Sequence, residues 1–200
     1  NFSVKKFHLG RPSSSFLSFF IIPILKIRSV LINQNKGNIT KGNHKRPSNI
    51  YAIRSVFLAY DRRKESLRAL NYSKKGFIII CDRYPGLNVQ KMDSPRLTYD
   101  EKRGSLYKFC QKLEDKIYNS ISSADMILHL KVPLEIAQQR NRLREKVGKE
   151  TDEELEERYE QNSDATFLGH NYVYFDATHS KDKVLKEVVS AIWEQVSLKP

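Results

Sequence analysis

Asp82 and Arg83 follow directly after the apolar run "FIIIC" at residues 77–81. Arginine presents a planar fork of donors that matches phosphate oxygens, and aspartate can bind Mg²⁺ directly or through a water molecule. The pair therefore predicts a site for a phosphorylated ligand. An ion pair between Asp82 and Arg83 that only covers the end of a strand is an equally good interpretation of these two residues.

Further arginines occur in two other segments, "FLAYDRR" before the apolar run and "QQRNRLRE" after the next one: Arg62, Arg63, Arg140, Arg142 and Arg144. Phosphoryl transfer depends mostly on positioning and on neutralising charge, so clustered arginines suit that reaction. For any single arginine, a position on a solvated helix surface is at least as good an interpretation. His8, at the end of the first predicted strand, is a weaker candidate for the same ligand edge, and His129 is expected in the core.

Apolar patterning predicts strands that alternate with helices. The predicted strands are 3–10, 77–81, 125–132 and 172–177, and successive apolar residues in "FIIIC" indicate a strand buried on both faces. This order predicts an α/β fold with three layers around a mostly parallel sheet, in which ligands bind at the carboxyl ends of the strands. Asp82 and Arg83 lie at such an end.

Helix signals accompany these strands. Ser48 or Asn49 is the expected N-cap of a long helix whose apolar stripe is Ile50, Ile53, Phe57, Tyr60, Leu67 and Leu70. Capping boxes are predicted at Thr98 with Glu101 and at Thr151 with Glu154. The helix after Thr98 is expected to bury Leu106, Phe109, Cys110, Leu113, Ile117 and Ile121. The last helix, from about Ser180 to Val196, is expected to place Trp193 in the core.

Positive charge is concentrated in residues 1–75, which hold 16 Lys/Arg and 2 Asp/Glu. Such a surface suits phosphorylated ligands, nucleic acid or anionic lipid, although a merely solvated surface is an alternative. The apolar segment 16–25 is shorter than the roughly 20 residues that a spanning helix needs, so we expect no membrane span. Cys81 and Cys110 both lie in apolar runs, which predicts free thiols in a reducing, cytoplasmic compartment.

In their order along the chain, "FLAYDRR", "FIIICDRYPG", "ADMILHLKVPLEIAQQRNRLRE" and "YVYFDATHS" resemble the thymidylate kinase group of P-loop nucleotide kinases, over roughly residues 3–196. The resemblance implies one domain over residues 1–200 with a lid-like segment at 141–163. It also implies phosphoryl transfer from ATP, with Mg²⁺, to a nucleoside monophosphate of the thymidylate type or a related acceptor. A nucleotide or another phosphorylated small molecule would be the ligand, and homodimer formation is compatible with it.

The resemblance also assigns roles to residues. The catalytic group would be Asp82, Arg83, Arg140 and Arg144, with Asp82 beside the metal. The acceptor would contact Arg62, Arg83, Tyr84 and Leu58, and the ATP side would involve Arg142, Asp176, Ala177 and Thr178.

Two features depart from that family. Leu58 replaces an aromatic residue that stacks on thymine, which leaves the acceptor open. The sequence contains no G-x-x-x-x-G-K-(S/T) run, whose backbone amides and lysine hold ATP phosphates. Together with the initial Asn1, this predicts a chain that lacks the first strand and helix of the fold, either as a truncated product or as a pseudo-enzyme, with poor or no turnover. The alternative function is a non-catalytic basic protein that binds nucleic acid or another polyanion.

Overall fold

The computed structural model describes residues 3–10, 48–145 and 148–197. Contacts divide the chain into two compact units, Asn1–Ser122 and Ser123–Pro200. The first unit contains β1 (Val4–His8), α1 (Asn49–Ser73), β2 (Ile78–Asp82) and α2 (Ser105–Tyr118). The second contains β3 (Ala124–Lys131), α3 (Leu134–Arg142), α4 (Asp152–Asn162), β4 (Gly169–Asp176) and α5 (Lys181–Ser197). The α/β class is confirmed, whereas the three-layer kinase fold and the single domain stay predictions.

Strands β1 and β2 form a parallel pair, in a register that runs from Val4 opposite Ile78 to His8 opposite Asp82. This register brings the carboxyl ends of both strands to one edge, and the backbone N–H of Leu9 extends the pairing by donating to the carbonyl of Asp82 at 3.0 Å. The expected burial of β2 on both faces is wrong at Ile80, which is 43% exposed. The parallel direction of β2 was nevertheless predicted correctly.

Helix α1 begins as predicted, since the Ser48 hydroxyl accepts a hydrogen bond from the backbone N–H of Tyr51. The predicted apolar stripe is wrong in part, because Tyr60 and Leu67 are exposed. The buried residues of α1 are instead mostly small, together with an aspartate and an arginine: Ala52, Ser55, Ala59, Asp61, Arg62, Ser66 and Ala69. Small side chains allow close packing, and Ala52 packs with Leu97 and with Tyr107 and Cys110 of α2.

Helix α2 begins at Ser105, seven residues after the predicted Thr98 capping box, so that prediction is wrong. The buried carboxylate of Glu114 accepts hydrogen bonds from the backbone N–H groups of Arg96 and Leu97, which fixes the preceding segment in a non-helical path. The predicted stripe of α2 is also wrong in part, because Leu106 and Phe109 are exposed. The buried face consists of Tyr107, Cys110, Glu114 and Tyr118.

In the second unit, β3 and β4 also pair in parallel, from Ala124 opposite Gly169 to Lys131 opposite Asp176. The Thr151–Glu154 capping box at the start of α4 is confirmed, with both reciprocal hydrogen bonds present. Helix α5 packs against β4. The expected core position of Trp193 is wrong, because its side chain is 48% exposed.

Within residues 48–145 and 148–197, no helix is both long enough and apolar enough to cross a bilayer. The apolar segment 16–25, which we considered as a possible membrane span, lies outside the described residues.

Candidate functional site: a phosphate-binding edge in the first unit

His8 and Asp82 pair at the carboxyl ends of β1 and β2. The Nδ1 atom of His8 lies 2.8 Å from Oδ2 of Asp82, and both side chains are about half exposed. The register of the two strands produces this contact, since it sets the two residues opposite each other. The carboxylate of Asp82 thus pairs with His8 and not with its neighbour Arg83, so the ion pair considered from the sequence is not the one formed.

Arg83 turns the chain away from the strand. Its backbone φ is 61°, in the left-handed region that costs a non-glycine residue roughly 1–2 kcal/mol. The side chain lies across Gly10, where an added Cβ would come within 2.7 Å of Cδ and 2.9 Å of Nε of Arg83. A larger residue at position 10 would therefore displace the side chain of Arg83 from this path. Nε of Arg83 donates to Oδ2 of Asp93 at 2.9 Å.

Asp93 is the buried centre of the site. Its side chain is 5% exposed, and its two oxygens accept from two different guanidinium groups. Oδ2 accepts from Arg83, and Oδ1 accepts from Nη2 of Arg62 at 2.7 Å. The backbone of Asp93 also has a φ of 61°. Two strained backbone positions at one charged cluster are typical of sites at which geometry is held for function.

Arg62 is fully buried, and each of its three nitrogens donates to a protein oxygen. Nε donates to the carbonyl of Leu9 at 3.0 Å, and Nη2 donates to the carbonyl of Gly10 at 2.6 Å. Nη1 donates to the hydroxyl of Tyr118, which in turn donates to the carbonyl of Ser94 at 3.0 Å. Burial raises the pKa of Tyr118. Arg62 therefore holds the chain after β1, the loop after β2 and helix α2 together. Its direct contact with an acceptor stays a prediction.

The loop from Tyr84 to Leu97 is fixed along its length. The hydroxyl of Tyr84 donates to the carbonyl of Ser122 at 2.6 Å, and Pro85 is fully buried. The N–H of Gly86 donates to the carbonyl of Asp93 at 3.1 Å, which closes the loop on itself. Asp93 thus reaches the two arginines from a loop that is closed by its own hydrogen bond. Leu58, another predicted acceptor contact, is half-buried on α1.

The hydrogen bonds of Asp93 and Arg62 do not use the terminal amino groups of Arg83. Among the residues described, none accepts a hydrogen bond from Nη1 or Nη2, and the side chain is 38% exposed. These groups lie one residue beyond the end of a parallel strand, on an arginine whose Nε is held. The arrangement can bind an oxyanion through two parallel N–H···O bonds.

The described residues give less support for a metal site than for a phosphate site. The described part of the chain contains no group of three or more His, Cys, Asp or Glu side chains that could hold a metal ion. Asp82 can supply one carboxylate ligand, and Mg²⁺ sites in phosphoryl-transfer proteins commonly use one or two carboxylates, with phosphates and waters as the other ligands. A place for Asp82 beside a Mg²⁺ ion therefore stays a prediction.

In the second unit, Arg140 meets the predicted ATP-side loop. Its Nη1 donates to the carbonyl of Ala177 at 2.6 Å, and its Nη2 donates to the carbonyl of Thr178 at 3.1 Å. The N–H of Thr178 donates to Asp176, which lowers the pKa of that carboxyl group. Four of the residues selected from the sequence are thus brought together at the carboxyl end of β4.

The predicted lid-like segment 141–163 is described except for residues 146 and 147. Nε of Arg142 donates to Asp152 at 2.8 Å, and Nζ of Lys149 donates to the carbonyl of Arg142 at 3.0 Å. These contacts join the end of α3 to the start of α4. Arg144 is exposed, and no described residue pairs with its side chain. A clamp on a transferring phosphoryl group by Arg140 and Arg144 stays a prediction.

Comparison with known proteins adds no family. No protein-family model matches this chain, and no curated protein matches it. The likeness to thymidylate kinases therefore rests on the sequence segments alone.

Sequence reasoning missed two residues that decide the geometry of the site, Asp93 and Gly10. A signal for Asp93 was present, because it is the only acidic residue between Asp82 and Asp100, a segment that also contains Arg83. A lone acid in a loop that begins with a candidate phosphate-binding arginine is a natural partner for that arginine. The role of Gly10 depends on a close approach between distant segments, which no local pattern reveals.

Proposed function

We propose that this chain is a nucleotide kinase-like protein whose first unit binds the phosphate group of a phosphorylated acceptor, with nucleoside monophosphates as the ligand class. The observation that carries the proposal is Arg83, whose Nε is held by buried Asp93 at the end of β2 while no described residue accepts a hydrogen bond from its Nη1 or Nη2. A guanidinium fixed in this way binds a phosphate with little loss of side-chain freedom.

Each neighbouring residue has a role in this proposal. Arg83 would hold the acceptor phosphate, and Arg62 would help to keep Arg83 in place through Asp93. Asp82 would supply one oxygen ligand to Mg²⁺, and its pairing with His8 would orient that carboxylate. When bound, Mg²⁺ would neutralise charge on the phosphates of ATP. Arg140 would keep the loop at Ala177 and Thr178 in place for the nucleotide base of ATP.

We expect binding of the acceptor without efficient turnover. The phosphates of ATP are normally gripped by the backbone amides and the lysine of a G-x-x-x-x-G-K-(S/T) run, and these 200 residues contain none. ATP consumption in the presence of a panel of nucleoside monophosphates tests this point. Robust consumption by this chain would contradict it.

The binding proposal is tested by titration of the chain with nucleoside monophosphates and with the matching nucleosides. The Arg83→Gln variant removes the charge, and Arg68→Gln on the exposed side of α1 is the matched control. Charge-assisted hydrogen bonds are worth about 1.5–3 kcal/mol, so we expect monophosphate affinity to fall roughly 10- to 100-fold in Arg83→Gln and to stay unchanged in Arg68→Gln.

Two results would overturn the proposal. One is equal binding of monophosphates and nucleosides, and the other is an Arg83→Gln variant that binds monophosphates like the parent chain. Strongly salt-dependent binding of an oligonucleotide that ignores Arg83→Gln would instead favour the nucleic-acid alternative based on the basic residues 1–75. Residues 11–47 of that segment lie outside the part of the chain that the structure describes.

A further inference from the structure

The carboxylate of Asp93 is shared between a buried guanidinium and a partly exposed one. Arg62 takes Oδ1 and is itself fixed by the carbonyls of Leu9 and Gly10. Arg83 takes Oδ2 through Nε. One negative charge thus lies between two positive charges, and the cluster of three side chains has a net charge of one positive unit on the exposed arginine. Of these three side chains, Arg83 is the one whose charge a ligand would meet.

The hydrogen bond at Nε restricts how Arg83 can meet a ligand. A guanidinium has five N–H donors in a rigid plane, and it can bind an oxyanion either side-on, through Nε and one Nη, or end-on, through both Nη atoms. Because Nε of Arg83 donates to Asp93, the end-on pair is the one that no residue in the described part of the chain occupies. Asp93 therefore determines which edge of the guanidinium faces outward.

Gly10 restrains the same side chain by close contact. A Cβ at this position would lie 2.7 Å from Cδ and 3.2 Å from Cβ of Arg83, closer than side chains ordinarily pack. The stem of Arg83 therefore rests on the backbone at Gly10, while Nε is held by Asp93. An arginine stem has several rotatable bonds, and two contacts along it select one conformer.

We propose that Asp93 is a positioning residue that orients Arg83 for end-on binding of a terminal phosphate, with Gly10 as the surface against which the arginine stem is set. The proposal rests on the phosphate-binding function argued above. The inference goes beyond that function because it assigns the orientation of Arg83 to a buried carboxylate that need not touch the ligand. It predicts that Asp93 and Arg83 act on phosphate affinity as one unit.

A double-mutant cycle tests this coupling. We measure the affinity of a nucleoside monophosphate for the parent chain, Asp93→Asn, Arg83→Gln and the double variant. If Asp93 acts through Arg83, Asp93→Asn weakens binding about tenfold in the parent chain and has no further effect once Arg83 is replaced. A merely structural Asp93 would weaken binding by the same factor in both backgrounds, and that result would overturn the proposal.

Gly10→Ala provides a second test that leaves every charge in place. It is expected to displace Arg83 and to weaken monophosphate binding, whereas Gly104→Ala, where an added Cβ meets nothing within 4 Å, is the matched control. If Asp93→Asn fails to fold, the affinity of Gly10→Ala tests the proposal in its place. Unchanged phosphate affinity in Gly10→Ala would then overturn the proposal.

A spectroscopic signature separates failure of this inference from failure of the binding function. The Nε–H of Arg83 donates to a buried carboxylate, so it should exchange slowly with solvent in nitrogen-15 NMR spectra, and Arg83→Lys assigns its signal. The signal should be lost in Asp93→Asn. If the parent chain binds monophosphates through Arg83 but the signal and the affinity survive in Asp93→Asn, the positioning role is wrong and the binding function stands. If no monophosphate binds, both proposals fail.

Discussion

The hydroxyl of Tyr118 should stabilise the first unit strongly, and Tyr118→Phe removes that hydroxyl alone. The hydroxyl accepts a hydrogen bond from Nη1 of Arg62 and donates one to the carbonyl of Ser94. Arg62 and Ser94 are both fully buried, so water cannot replace the lost partner without a rearrangement. The substitution keeps the ring and leaves almost no cavity, and its effect is therefore that of two hydrogen bonds.

The magnitude follows from the nature of these two bonds. A buried hydrogen bond to a charged group contributes about 1.5–3 kcal/mol, and one between neutral groups contributes about 1 kcal/mol. We therefore expect Tyr118→Phe to lower the free energy of unfolding by about 3 kcal/mol. This is a large fraction of the roughly 5–15 kcal/mol that keeps an ordinary domain folded.

Equilibrium urea unfolding followed by far-UV circular dichroism measures this change, and amide hydrogen exchange in α1 and α2 locates it. Tyr99→Phe is the matched control, because the side chain of Tyr99 is 68% exposed and the same hydroxyl is removed there. Surface changes of this kind stay within about 0.5 kcal/mol. If the two variants unfold within about 1 kcal/mol of each other, the claim that Tyr118 and Arg62 hold the first unit together is refuted.

Three further predictions concern pH, capping and thiol reactivity. Burial raises the pKa of Tyr118 in the folded state above 10.0. The contribution of this shift to stability is therefore complete below pH 10.0 and is lost as the pH rises through the folded-state pKa. Unfolding midpoints above pH 10.0 should fall less steeply in Tyr118→Phe than in the parent chain. Thr151→Ala should destabilise α4 by about 1 kcal/mol in amide exchange, whereas Thr98→Ala, at the box that does not cap a helix, should change nothing. Burial raises the pKa of Cys81 from 9.0 to about 11. Alkylation of this thiol near neutral pH should therefore be about 100-fold slower than that of an ordinary thiol. An alkylation rate equal to that of a free peptide thiol would contradict the burial of Cys81.

The two predicted capping boxes show how far local sequence determines the fold. Both have threonine followed three residues later by glutamate, and only Thr151 caps a helix. Near Thr98 the path of the chain is set by Glu114, whose carboxylate accepts hydrogen bonds from the N–H groups of Arg96 and Leu97, 18 and 17 residues away. A tertiary hydrogen bond thus overrides a local signal. The parallel strands were predictable because their apolar runs and turns are local features.

The buried face of α1 was harder to predict for a different reason. Tyr60 and Leu67 of the predicted apolar stripe are exposed, whereas small residues, an aspartate and an arginine are buried. Arg62 is buried because its donors are satisfied by backbone carbonyls, a phenol and a carboxylate, so the usual cost of burying a charge is offset. Hydropathy patterns contain no information on such partners.

The site was predictable to the extent that it depends on strand ends. Asp82 and Arg83 lie where the parallel-sheet rule places ligands, but their partners, His8 and Asp93, come from strand register and from loop shape. This difference has a consequence for how the site can change. Since Arg62 binds Asp93 while also holding Gly10, a substitution that loosens Arg62 removes both restraints on Arg83 at once. If the first unit binds phosphate as proposed, its phosphate affinity and its stability should be linked through one buried guanidinium, and a bound phosphate should stabilise the folded first unit by about 2.7 kcal/mol at a ligand concentration of 100 times Kd.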